Sequence, residues 1–285
     1  MQRKIAPPAP FAERLHRWGL RRGFPALLAI APRWPRWLLF LGARVIIWTV
    51  MFVHPAPKRE IAANLARLLD LPAGSRRLRR ATRQMLFNFA YYWVDMFRFS
   101  QLPAERARDL LDGCIGAEHL ESAHARGKGV ILLTAHLGNW EMGGLFLGQL
   151  DLPLSVVYVR DQFEVAERFR SLLRQRVEVE EIAIDPAGGL ASLPVLRALS
   201  EGRVVAMQGD RDFNDRGVLV DFCGAPAAFP LGPFHLARMT GASLLPVFVV
   251  YGSGHRFEIE IGEPIHVPKS RDREGEARRA LESWV

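Results

Sequence analysis

From about residue 112 onward, short apolar runs alternate with helical patterns, and this alternation constrains the fold more than any other feature of the sequence. The runs fall at 130–134, 154–159, 177–184, 203–208, 218–222, 245–250 and 257–261, with helical periodicity near 118–126, 141–150, 162–175, 188–200 and 232–240. Strands separated by helices pair in parallel, because the helix carries the chain back to the end of the sheet where the previous strand began. The pattern therefore predicts an α/β fold with a mixed, largely parallel sheet flanked by helices. The last two runs, close together around Gly252-Ser-Gly254, predict a hairpin.

The first third of the chain has a different texture. Apolar helical patterns cover roughly 13–31 and 36–53, His54-Pro-Ala-Pro-Lys58 breaks them, and further helices follow near 58–70 and 75–98. The last of these ends in Phe87-Asn-Phe-Ala-Tyr-Tyr-Trp-Val-Asp-Met-Phe-Arg-Phe99, an aromatic stripe at helical spacing that reads as core. This divides the chain into apolar, basic helices over 1–57 and an α/β domain over 58–285 with a helical lead-in to 112. The two cysteines, Cys114 and Cys223, form neither a disulfide framework nor a metal-ligand cluster.

Charge follows the same division. Residues 1–110 hold 20 Lys and Arg against 6 Asp and Glu, while the remainder holds 18 against 24, and only four of the basic residues are lysines. An arginine field of this kind suits nucleic acid, anionic lipid or an acidic protein. The stretch 34–53 narrows the choice, being apolar except for Arg36 and Arg44 and carrying Trp34, Trp37 and Trp48. From Trp37 to Val53 it is short for a spanning helix and has an arginine near its middle, so it better fits a helix lying at an anionic membrane surface, with tryptophans at headgroup level. Tryptophan-rich apolar stretches beside the arginines do not fit nucleic-acid binding.

In open α/β sheets ligands gather beyond the carboxyl ends of the strands. The run ending Leu-Leu-Thr-Ala135 delivers His136 there, followed by Leu-Gly-Asn-Trp-Glu141 and a helix. On one continuous helix the two side chains would splay by about 140°. With His136 on the turn and Glu141 in the first helical turn, the carboxylate can reach back, where the helix dipole also favours it. A carboxylate paired with an imidazole fixes its tautomer and makes the free nitrogen a better base toward a hydroxyl. Backbone N–H groups near Gly138 and Asn139 are candidate donors to a developing oxyanion.

His136-Leu-Gly-Asn-Trp-Glu141 resembles the His-x4-Asp/Glu motif of glycerolipid-type acyltransferases. Its surroundings resemble the branch that contains the bacterial lipid A acyltransferases and the phosphatidylinositol mannoside acyltransferases. The resemblance covers most of the chain. It includes Arg59-Glu-Ile-Ala-Ala-Asn-Leu65 and Gly116-Ala-Glu-His-Leu120 before the motif, and Tyr158-Val-Arg160, Gln208-Gly-Asp-Arg-Asp212, Phe222-Cys-Gly-Ala-Pro226 and Pro230-Leu-Gly-Pro-Phe234 after it. It implies transfer of an acyl chain from acyl carrier protein or acyl-CoA to a hydroxyl of a membrane glycolipid or lysolipid, at the cytoplasmic face of the inner membrane, with no cofactor or metal. It assigns His136 as general base, Glu141 as the carboxylate that orients it, and Arg160 as a fork for phosphate or an anionic headgroup. Asp210 matches an acidic residue closing a strand, either holding Arg160 or meeting an acceptor hydroxyl. No Gly-x-Ser-x-Gly elbow occurs, so direct transfer without a covalent acyl-enzyme is expected.

Two rival readings exist. Asp210-Arg-Asp212 is an Asp-x-Asp, the motif that holds a nucleotide-sugar diphosphate through a metal ion in glycosyltransferases. A catalytically inactive, membrane-associated binding protein is the other, and such a chain has no need of both His136 and Glu141.

Overall fold

The computed structural model of the 285-residue protein describes residues 26, 29–103, 105–148, 150, 152–159, 167, 171, 179–184 and 192–285. Arg160 and most of the expected helices over 13–31 and 162–175 lie outside the described residues.

Three long helices come first: α1 (Arg36–Val53), α2 (Ala56–Leu68) and α3 (Arg76–Phe99). Ser75 caps α3 by accepting a hydrogen bond from the Leu78 N–H at 3.1 Å. Most of the aromatic stripe is core as expected, with Tyr91, Tyr92, Met96, Phe97 and Phe99 buried, while Phe89 is exposed. After a single turn, α4 (Glu105–Arg108), the α/β region runs β1 (Leu111–Ile115), α5 (Ala117–Ala125), β2 (Val130–Thr134), α6 (Trp140–Leu147), β3 (Leu154–Val159), β4 (Glu180–Ile184), α7 (Leu193–Ser200), β5 (Val204–Gln208), β6 (Val218–Phe222), β7 (Ala225–Phe229), α8 (Gly232–Thr240), β8 (Ser243–Tyr251), β9 (Phe257–Ile261) and α9 (Arg273–Trp284).

Seven strands form the main sheet in the order β1-β9-β8-β2-β5-β3-β4. The five from β8 to β4 are mutually parallel. As the hairpin expectation required, β9 returns antiparallel to β8, and β1 runs parallel beside β9. β6 and β7 make a separate ribbon, closed by Cys223 and Gly224, both at positive φ.

β2 explains how the two faces are covered. Its residues are apolar on both sides, as a strand buried between helix layers must be. Val130 and Leu132 pack with Leu120 and Ala123 of α5 and with Met142, Leu145 and Phe146 of α6. Ile131 and Leu133 point the other way, to Val195 and Leu199 of α7, Phe234 of α8 and Leu281 of α9.

α1 packs on α3, yet Phe40 is its one buried residue. Trp37, Leu41, Val45, Trp48 and Phe52 form an exposed stripe at helical spacing, with Phe52 82% exposed. Among the described residues α1 is the one helix long and apolar enough to cross a membrane. Its arginines turn the other way. Arg36 makes a two-pronged ion pair with the fully buried Asp95 of α3, both contacts at 2.8 Å. Arg44 donates to the Tyr91 hydroxyl and lies over the Phe87 and Tyr91 rings, 5.4 Å from each centroid. The arginine that made this stretch an awkward membrane segment is therefore turned onto α3.

Candidate functional site

The site follows from the register between β2 and β5. Thr134 stands opposite Gln208, and Gly209 continues the pairing by donating its N–H to the Thr134 carbonyl at 2.9 Å. Two residues past each strand end, His136 and Asp210 must then face one another. The His136 ring Nδ1 lies 2.9 Å from Asp210 Oδ1, and the His136 backbone N–H donates to Asp210 Oδ2, also at 2.9 Å. A close approach between the strands helps, since a Cβ at Gly209 would sit 2.7 Å from Leu133 Cδ1.

Sequence reasoning paired the His136 imidazole with Glu141, and the structure puts Asp210 on its Nδ1. Its alternative duties, holding Arg160 or an acceptor hydroxyl, were read without the register that brings residues 74 positions apart into contact. Burial pushes the Asp210 carboxyl up, but the side-chain and backbone hydrogen bonds from His136 outweigh it and hold the group below its ordinary value of 3.8. An ionised carboxylate only accepts, so it selects the tautomer with the proton on Nδ1 and leaves the Nε2 lone pair for a substrate. The ring is about one-third exposed and has Trp140 packed against it edge to face, with centroids 5.1 Å apart.

Glu141 is buried in the first turn of α6, as the motif spacing predicted for its place on the helix. Gly138 and Asn139 make the intervening turn. Gly138 has φ +67°, and a Cβ there would meet the Val249 carbonyl oxygen at 1.9 Å, so only glycine fits. Asn139 caps α6, its side chain accepting from the Met142 N–H, and its own N–H donates to the Val249 carbonyl at 2.8 Å. The expectation that both amides face an oxyanion is corrected for Asn139, whose N–H is spent on β8 and whose surface is fully buried.

The second carboxylate of the Asp-x-Asp has structural work as well. Asp212 accepts from the N–H groups of Asn214 and Gly217 and closes the turn before β6. Asp210 and Asp212 thus serve different neighbours, the first His136 and the second the turn before β6. Arg160 lies outside the described residues.

Sequence reasoning missed the support behind the turn. Asn139 Nδ2 donates to the Tyr251 hydroxyl at 3.2 Å, and Tyr251 donates in turn to Asp95 Oδ2 at 2.8 Å. A lone acid in the aromatic end of α3 was the available signal, because a carboxylate on a core face needs a buried partner.

The site thus places a partly exposed histidine beyond the carboxyl ends of parallel strands, paired with Asp210 and followed five residues on by a buried acid. The family profile described as bacterial lipid A biosynthesis acyltransferase matches residues 14–284, and the chain belongs to that family. It is 31% identical to a phosphatidylinositol mannoside acyltransferase of Mycobacterium tuberculosis over 255 residues, covering 85% of this chain and 75% of that one. It is 34% identical to the protein of the same description in Mycolicibacterium smegmatis, over 66% of this chain and 61% of that one. A lipid A biosynthesis acyltransferase of Haemophilus influenzae is 28% identical over 60% of this chain and 54% of its own length.

Proposed function

We propose that the protein moves a fatty acyl chain from a thioester directly onto a hydroxyl of a membrane glycolipid. The observation that carries this reading is the His136–Asp210 pair, with the ring accessible at the open end of the sheet. His136 Nε2 takes the proton of the acceptor hydroxyl as its oxygen attacks the thioester carbonyl carbon. The tetrahedral oxyanion collapses, the C–S bond breaks, and the imidazolium returns its proton to the leaving thiolate. Asp210 steadies the imidazolium throughout. Glu141 is a positioning residue in the turn behind the ring, and Gly138 is the remaining amide candidate for the oxyanion. Arg160 takes an anionic group of the acceptor or donor.

The acceptor is a glycosylated phospholipid. Supporting this, the mannoside acyltransferase of M. tuberculosis aligns over 85% of the chain, against 60% for the H. influenzae lipid A enzyme. The exposed stripe of α1 seats the protein on the cytoplasmic face of the inner membrane. At about 1.5 Å per residue α1 is about 27 Å long, close to a hydrocarbon core of about 30 Å. Its arginines bind to α3, so it lies along the surface.

The test is acyl transfer by purified protein on vesicles containing phosphatidylinositol mannoside or an underacylated lipid A precursor. Palmitoyl-CoA and palmitoyl-acyl carrier protein are offered separately, and products are read by mass spectrometry. The expected product is mannoside heavier by one acyl chain. Transfer only to the lipid A precursor replaces the acceptor, and no transfer from either thioester overturns the reading.

A further inference from the structure

The turn that presents His136 is tied to α1 by a buried chain of four polar side chains. Arg36 reaches from the first turn of α1 to both oxygens of Asp95. Asp95 accepts from the Tyr251 hydroxyl at the end of β8. That hydroxyl accepts from Asn139, whose carbonyl oxygen caps α6 two residues before Glu141. Each link joins a different element: α1, α3, β8 and the catalytic turn.

The chain is built as a designed contact would be. Asp95 is fully buried, and burial raises its carboxyl above the ordinary range against the opposing pull of Arg36 and Tyr251. An acid in that place is tolerated only while its partners remain. Arg36 is itself held, its Nη1 donating to the His255 carbonyl at 2.7 Å and its guanidinium lying between the Phe40 and Phe257 rings. Arg98, one turn along α3 from Asp95, grips the segment leading into α1 through the carbonyls of Ala31 and Trp34.

We propose that Arg36, Asp95 and Tyr251 are positioning residues for acyl transfer, holding the Asn139 turn, and through it His136, in register with the apolar helix α1. The proposal goes beyond the catalytic assignment but rests on it for its kinetic arm. Loss of one hydroxyl in the chain should leave the core intact and free the turn. Loss of the fork at Arg36, far from the site in sequence, should do the same through Asp95.

Tyr251→Phe keeps the ring and removes only the hydroxyl that joins Asp95 to Asn139. Arg36→Lys keeps the charge and removes the fork. Asp95→Ala is avoided, because it would strand a guanidinium beneath α1 and confuse loosening with unfolding. Amide hydrogen exchange across residues 136–142 is compared with exchange across β2, alongside kcat and the donor KM. In Tyr251→Phe, exchange at 136–142 is expected to rise about tenfold with β2 unchanged. In the same variant kcat should fall roughly five- to tenfold while donor KM stays within twofold. Arg36→Lys should move both in the same direction, by less. Unchanged exchange in Tyr251→Phe overturns the proposal, as does faster exchange with unaltered kcat. Wild-type exchange in Arg36→Lys overturns the link to α1. A wild-type protein without acyl transfer would refute the proposed function, while the exchange arm still judges the chain by itself.

Discussion

The carboxyl edge of the sheet and the helix α1 treat charge in opposite ways. At the sheet edge the polar groups stay accessible. The His136 ring and Asp210 are both partly exposed, and one ring nitrogen is left for a substrate. On α1 each arginine is turned inward and answered, Arg36 by Asp95 and Arg44 by Tyr91, so the outward face is apolar. A general base needs an uncommitted lone pair, whereas a surface facing lipid is best left with no uncommitted polar group. Under the proposed function the two regions divide chemistry from docking, although both are held by the same helix, α3.

Removing the reactive group gives the largest effect on the chemical side. His136→Ala should lower kcat by roughly 10²- to 10⁴-fold with the thermal midpoint little changed, since the ring is not part of the core. Activity retained within tenfold would shift the chemistry elsewhere. Asp210→Asn comes next, at about 10²-fold in kcat, because an amide does not enforce the same tautomer or balance an imidazolium. Asp210 also sets a pH window. Its folded value is depressed, so the stabilisation it gives is fully present above the unfolded value near 3.8 and is lost as pH falls through the lower folded value. Wild type should therefore lose this contribution only in strong acid, and the stability of Asp210→Asn should be flatter there. Unfolding followed from pH 6 to pH 2 reads the difference.

The unequal legibility of the two regions has a physical cause. The central strands β2, β5 and β8 carry nearly unbroken apolar runs because helices cover both faces of the sheet there, and β9 alternates, burying Phe257, Ile259 and Ile261 between its glutamates. β1, Leu111-Asp-Gly-Cys-Ile115, and β7, Ala225-Pro-Ala-Ala-Phe229, were not foreseen, since glycine, proline and alanine are weak strand formers and both lie at edges. α9 hid behind its charges, burying only Ala277, Ala280 and Leu281. His136 was legible because it stands at a strand end before a helix. The Asp210 contact was not, because it depends on which strand lies beside β2 and in what register, and no local pattern carries that. The inward turn of Arg36 and Arg44 was hidden for the same reason, as their partners lie on another helix.

On the docking side, the exposed stripe of α1 gives the next effect. Replacing Trp48 and Phe52 together by serine removes two of its most exposed apolar side chains. Vesicle binding should weaken by roughly 10- to 100-fold, equivalent to about 1.4 to 2.8 kcal/mol. Turnover on a detergent-dispersed acceptor should be preserved. Co-sedimentation with phosphatidylglycerol–phosphatidylcholine vesicles measures the first and the transfer assay the second. Equal losses in both would erase the division between docking and chemistry.

The smallest effect concerns the early turns of α3, where Arg76, Arg77, Arg79, Arg80 and Arg83 are exposed and no acidic residue occupies the first turn. A positive stripe there, one helix away from the apolar stripe of α1, suits an acidic donor protein better than a neutral lipid. Solvent-exposed charges steer encounter more than they hold a complex, and salt screens them over about 10 Å at 0.1 M. Reversing Arg79, Arg80 and Arg83 to glutamate should therefore raise KM for palmitoyl-acyl carrier protein roughly three- to tenfold at low salt, with kcat unchanged. The effect should shrink at 0.5 M salt, and KM for palmitoyl-CoA should respond less because its charges are compact. If reversal leaves the carrier-protein KM unaltered at low salt, the arginines belong to the membrane side of the comparison, and their loss should then appear as weaker binding to anionic vesicles.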